Sequence, residues 1–210
     1  MPTFYMTIGV SGCGKTTWAM NQPNIQPRLV LDSDAIREEL YGNWADQSHN
    51  AQVFDEMYRR TVEGMKRGID DIYYVATNLS MKRRIQLLER LRKMFPQYIY
   101  ECRVFIRTLD TLFAQNDKRE HRVSSYVIGR QMTQFQLPVE NEGWDNISYD
   151  IERASYDYCF DILQRIEEFG SQDNPHHTLT LSDHLDACQA LMIQLADDGT
   201  EIAQKPVSYH

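Results

Sequence analysis

The chain has 210 residues, of which 42% are apolar and 25% charged, with a formal net charge of -8. That length suits one ordinary domain, or one domain with an appendage, and the apolar fraction is enough for a real core. No run of about 18 apolar residues occurs and residues 1–9 lack a basic-then-apolar leader, which excludes a membrane span and a signal peptide from the expectations.

Residues 3–8 read as a buried strand stopping at Gly9. A helix is expected from Lys15 to about Met20, and two prolines break residues 21–27. Residues 28–31 form a second short strand, and residues 34–40 a helix halted by the turn residues at 41–43. A longer helix covers 51–67, with Phe54, Tyr58, Val62 and Met65 at helical spacing. Residues 71–78 give a third strand. Residues 81–94 give an amphipathic helix with Ile85, Leu88 and Leu91 inward, and residues 98–106 a fourth strand. Helices over 109–115 and 124–135 and a strand at 146–149 follow. Strands alternating with helices predict an α/β fold, a parallel sheet with helices on both faces. Beyond residue 150 the pattern turns mostly helical. The expected division is a domain at 1–150, a helical extension and linker at 151–173, and a further segment at 174–210.

Charge divides along the same lines. Residues 1–139 carry 19 Lys+Arg against 15 Asp+Glu, whereas residues 140–210 carry 3 against 15. The first part can hold an anion; the last repels one and aids solubility. Cys13, Cys102, Cys159 and Cys188 are scattered without metal-binding spacing, which points to reduced thiols in a cytoplasm.

The sharpest motif is Gly9-x-x-x-x-Gly14-Lys15-Thr16, placed between an apolar strand and a helix. Glycines let the backbone of Gly9, Ser11, Gly12, Cys13 and Gly14 wrap closely and aim successive N–H groups inward at phosphate oxygens, helped by the start of the helix that follows. Lys15 adds charge for the terminal phosphates. Thr16 offers a hydroxyl to magnesium, and Thr17 follows it into the helix. The expected ligands are ATP and Mg2+. Cys13 reads as a small residue filling the loop.

Asp34 and Arg37 follow the second strand. Asp34 at the strand tip beside the loop could take a proton from an acceptor hydroxyl, and Arg37, one turn on, could hold an acceptor phosphate. The same two residues also read as a helix N-cap with a supporting pair three apart. Residues 116–122 gather Lys118, Arg119, His121 and Arg122 in a loop. They read as a lid over a nucleotide or, alone, as a solvated basic turn.

Taken together, "TIGVSGCGKTTWA", "SDAIREELYG", "ATN" before a basic helix, and "NDKREHRVSSYVIGRQM" resemble the 5′-kinase of the polynucleotide kinase family over roughly residues 3–149. The resemblance implies a P-loop kinase fold and ATP-dependent phosphorylation of a 5′-hydroxyl end of DNA or RNA. It also implies roles. Lys15 and the loop hold the donor phosphates, and Thr16 holds magnesium. Asp34 is the general base and Arg37 holds the phosphate beside the hydroxyl. Arg119 and Arg122 act from the lid, Thr77 and Asn78 lie near the acceptor, and Arg130 supports the lid helix. One departure stands out: the third strand ends "YYVATN", where the family places an aspartate before Thr-Asn, so Asp32 or Asp34 must compensate or magnesium is held more weakly.

The segment "NPHHTLTLSDH" resembles the opening of HD-type phosphohydrolase domains, with His184 as a first metal ligand and His177 nearby; the expectation is a domain cut short near His210, without a working metal site. Two other readings stay open. One is a small-molecule kinase acting on a nucleoside, sugar or antibiotic. The other is a nucleotide-binding module without catalysis.

Overall fold

The computed structural model describes residues 1–23 and 25–152. The expectations for the linker and the HD-like segment, with His177, His184 and His210, fall beyond Glu152 and so outside the described residues.

Each strand forms where an apolar run allows burial on both faces, and each helix returns the chain to the next strand. The order is β1 (Thr3–Ile8), α1 (Lys15–Asn21), β2 (Arg28–Asp32), α2 (Ser33–Tyr41), α3 (Asn50–Lys66), β3 (Asp71–Val75), α4 (Met81–Met94), β4 (Ile99–Ile106), α5 (Leu109–Asp117), α6 (Ser125–Thr133) and β5 (Asn146–Ile151). The five strands make one sheet in the order β2-β3-β1-β4-β5, and every pair is parallel. All carboxyl ends therefore lie along one edge. The chain leaves β1 first to one side and later to the other, which opens a crevice at that edge.

Alternation along the strands sorts the core into two layers. On one face Tyr5 stacks on Tyr73 with centroids 4.8 Å apart, and Trp18 of α1 meets both rings and Phe105 edge-on. Leu112 of α5 and Ile128 of α6 join Val10, Cys13 and Phe105 in a buried cluster on this side. The other face buries Phe4, Met6, Ile72 and Tyr100. There α3 lies over β2 and β3, and the Arg92 guanidinium of α4 sits 4.7 Å from the Tyr100 ring. Leu88 and Leu91 of α4 are fully buried, each worth about 1.5–3 kcal/mol of transfer free energy.

Three details differ from the sequence reading. β3 stops at Val75, three residues before the expected end. Asn78 adopts φ 48°, and its amide donates to Thr7 O at 2.8 Å, which turns the chain out of the sheet. The buried stripe of α3 is Val53, Met57, Thr61, Gly64 and Met65, so of the expected stripe only Met65 is buried and Phe54 and Tyr58 line the crevice. In α4 the inward face runs Met81, Arg84, Leu88, Leu91, with Arg84 taking the position expected of Ile85. Cys13 and Cys102 are free and buried, and burial pushes the Cys102 thiol well up. Among the described residues no helix is long and apolar enough to cross a membrane.

Candidate functional site

The loop between β1 and α1 is shaped by what cannot fit there. A Cβ on Gly9 would stand 2.7 Å from Cys13 Sγ and 3.0 Å from the Phe105 carbonyl. Gly14, with φ 99°, occupies the left-handed region at the start of α1, and no side chain caps the amides of that first turn. Cys13 is wholly buried within this turn and fills it, as the sequence suggested. Gly9→Ala is expected to cost about 1–3 kcal/mol, since sulfur and backbone must both shift, and to weaken ATP binding in step. Chemical denaturation and a nucleotide titration check this.

Lys15 is also buried; its Nζ donates to Val10 O at 2.7 Å and lies 3.5 Å from Cys13 Sγ, which holds the ammonium over the loop. Thr16 and Thr17 are exposed on the crevice side. Thr16 Oγ1 donates to Asp32 Oδ2 at 2.7 Å. Asp32 ends β2, and its Oδ1 accepts from the Asp34 and Ala35 amides at 2.8 and 3.2 Å. Asp32, and not Asp34, is thus the N-cap of α2. Sequence reasoning weighed Asp32 only as a substitute carboxylate, although its place directly after an apolar strand was a readable signal.

Freed from capping, Asp34 turns its carboxylate to two arginines. Its Oδ1 accepts from Arg37 Nη1 at 2.7 Å, and its Oδ2 lies 3.9 Å from Arg119 Nη2. The expected pair three residues apart is therefore present, and the basic segment folds back over it. Arg37 is 3% exposed; it also donates to Trp44 O at 3.1 Å and to Asn50 Oδ1 at 2.8 Å. Its buried Nε has no hydrogen-bond partner among the described residues, and the residue lines the crevice. Arg122 Nε donates to Arg119 O at 3.3 Å, a bond within the basic segment. His121 of that segment stacks on Trp44 with centroids 4.7 Å apart and planes 6° apart.

The crevice encloses about 1980 Å³ and brings together Ser11, Gly12, Cys13, Gly14, Lys15, Thr16, Thr17, Asp34, Arg37, Thr77, Asn78, Arg119 and Arg122. Gly9 stands behind it, where its amide donates to Thr77 O at 3.0 Å. Thr77 and Asn78 border the crevice, but the Asn78 amide is spent on the carbonyls of Thr7 and Ala76 and braces the end of β1. Arg130 is exposed on α6 and also faces the crevice. Gln131, next to it, accepts from the Ser11 amide at 2.7 Å, a link across 120 residues that no local pattern announces. Among the described residues no group of three or more His, Cys, Asp and Glu gathers that could hold a metal.

Comparison with solved structures returns the same fold. A putative kinase from Chloroflexus aurantiacus matches with TM-score 0.55 and 13% identity, over 95% of this chain and 98% of that one. A fungal RNA kinase matches with TM-score 0.53 and 12% identity, over 98% of this chain and 55% of that one. The Pnkp1/Rnl/Hen1 RNA repair complex contains a chain matching with TM-score 0.50 and 16% identity, over 63% of this chain and 43% of that one. The chain thus spans about half the length of these last two matched chains. At such identities the likeness is one of fold, the P-loop kinase fold. No curated protein matches in sequence. The family model described as an AAA domain, AAA_33, matches residues 4–138, and the chain belongs to that family.

Proposed function

We propose that the chain is an ATP-dependent kinase that phosphorylates the 5′-hydroxyl end of DNA or RNA, as nucleic-acid repair requires. The observation that carries the reading is the meeting of Asp34, Arg37 and Arg119 at one point beside the glycine loop. The residues present fit ATP and magnesium. The loop is too tight for side chains at Gly9, Lys15 is held above it, and Thr16 with Asp32 presents oxygen donors suited to a hard cation. Bound magnesium would supply positive charge to the phosphate oxygens at Thr16.

Asp34 takes the proton of the acceptor hydroxyl as that oxygen bonds to the γ-phosphorus. The bond from this phosphorus to the β–γ bridging oxygen breaks, and ADP leaves with the electron pair. Arg37 holds the phosphate next to the acceptor hydroxyl. Arg119, with Arg122 beside it, neutralises charge on the group in transfer.

Two features of the crevice support a polynucleotide acceptor over a small alcohol. It is lined also by Arg83 and Arg90, and the Arg90 guanidinium stands 3.8 Å from the centre of the Tyr58 ring. The Trp44–His121 stack borders it as well. Cations interleaved with flat rings suit phosphates and bases. Because such an enzyme grips an end, few phosphates are contacted and the salt dependence is expected to be shallow.

Labelled ATP offered with 5′-hydroxyl DNA and RNA oligonucleotides, nucleosides and sugars tests the reading. Label is expected on oligonucleotide 5′ ends, and Arg37→Ala is expected to raise the acceptor KM more than the ATP KM. Label on sugars or nucleosides alone replaces the reading with a small-molecule kinase, and ATP binding without transfer replaces it with a binding module.

A further inference from the structure

The hydroxyl of Thr16 has two jobs that compete for one rotor. To bind a cation it must offer a lone pair; as a hydroxyl it still carries a proton that needs an acceptor elsewhere. In this chain the acceptor is Asp32 Oδ2, at 2.7 Å. We infer that Asp32 is the positioning carboxylate of the magnesium site: it accepts the hydrogen bond of the Thr16 hydroxyl, turns the hydroxyl lone pairs toward the phosphate cradle, and adds the negative charge that the cation requires. This rests on the kinase reading above.

The sheet explains why the carboxylate comes from β2. In P-loop nucleotide enzymes the loop Ser/Thr shares its metal with an aspartate from a neighbouring strand. The neighbour here, β3, ends in Val75 followed by Ala76, both buried and apolar, and has no carboxylate to give. Parallel register sets Asp32 opposite Val75, one strand further from β1, and its side chain still reaches Thr16. Asp34 does not serve, since its two oxygens face Arg37 and Arg119. The second oxygen of Asp32 fixes the first turn of α2, the helix that carries Asp34 and Arg37. One side chain therefore couples the metal end of the donor site to the acceptor base.

The two roles of Asp32 can be separated. Asparagine caps a helix as well as aspartate does. Asp32→Asn thus keeps an Oδ1 for the amides of α2, but presents an Nδ2 donor to Thr16 where Oδ2 accepted. The experiment is calorimetric binding of the ATP analogue AMP-PNP across a Mg2+ series, with a thermal melt of each protein. The Mg2+ needed for half-maximal binding is expected to rise about tenfold or more, as for loss of an outer partner of a metal ligand. The melting temperature is expected to hold, because the cap is kept. Asp32→Ser, which also caps well and lacks the carboxylate, gives the same reading should the asparagine variant fold poorly. An unchanged Mg2+ requirement in whichever variant folds overturns the inference while leaving the kinase reading intact. Wild-type protein that binds no AMP-PNP at any Mg2+ level overturns the kinase reading and the inference with it.

Discussion

Asp34→Asn is expected to slow phosphoryl transfer by about 10²–10⁴-fold, the range usual for loss of a general base, while ATP binding stays within a few-fold of wild type. The substitution is nearly isosteric. The amide oxygen can still accept from Arg37 Nη1, so the 2.7 Å contact that orients Arg37 survives. What is lost is a group able to take the hydroxyl proton and the negative charge facing Arg119 at 3.9 Å. The helix start does not depend on Asp34, because Asp32 makes the capping bonds. The variant is therefore expected to fold normally, and its defect should lie in turnover. Single-turnover transfer to a 5′-hydroxyl oligonucleotide, set beside a calorimetric ATP titration, separates the two quantities. Turnover at the wild-type rate would sink the base assignment, and a matching loss of ATP affinity would move Asp34 to the donor side.

How far the sequence carried the reading depends on the range of the interactions involved. Strand β1 and helix α4 match their expected bounds because each is set by a local run, an apolar stretch ending in glycine and a helical repeat. The glycine loop was legible for the same reason, since its backbone demands particular residues at fixed offsets. Asp34 with Arg37 was half legible: the spacing gave the pair, but the sequence alone could not decide between cap and cleft. Asp32 decided it by taking the capping amides. The rest is tertiary. The Gln131 contact to Ser11 and the stack of Trp44 on His121 join residues far apart in the chain, and no periodicity encodes them. Phe54 and Tyr58 follow a helical repeat as well as Val53 and Met57 do, so which stripe faces the sheet and which faces the crevice is settled only by packing.

Arg84 shows the same limit with the largest consequence for stability. Within a helix of six cations, Arg84 is 1% exposed and makes a two-pronged pair with Glu142, at 2.8 and 2.6 Å. Its other donors go to the carbonyls of Asn78, Leu79 and Leu137. Glu142, equally buried, also accepts from the Trp144 indole and the Val139 amide. Glu142→Ala is expected to destabilise the protein by about 3–5 kcal/mol, because it strands a buried guanidinium and two further donors at once. A thermal melt should then drop by roughly 6–20 °C for a chain of this size. Arg84→Met combined with Glu142→Leu removes both charges together, and its cost should fall well below the sum of the single replacements. It should not fall to zero, since the three carbonyls that Arg84 serves lose their donor. Those carbonyls include Asn78 and Leu79, on the segment that borders the crevice beside Thr77. The double variant is therefore expected to keep its fold yet loosen acceptor binding, whereas a Glu142→Ala melt within 2–3 °C of wild type, about 1 kcal/mol or less, would show that water reaches Arg84 and that the pair contributes little.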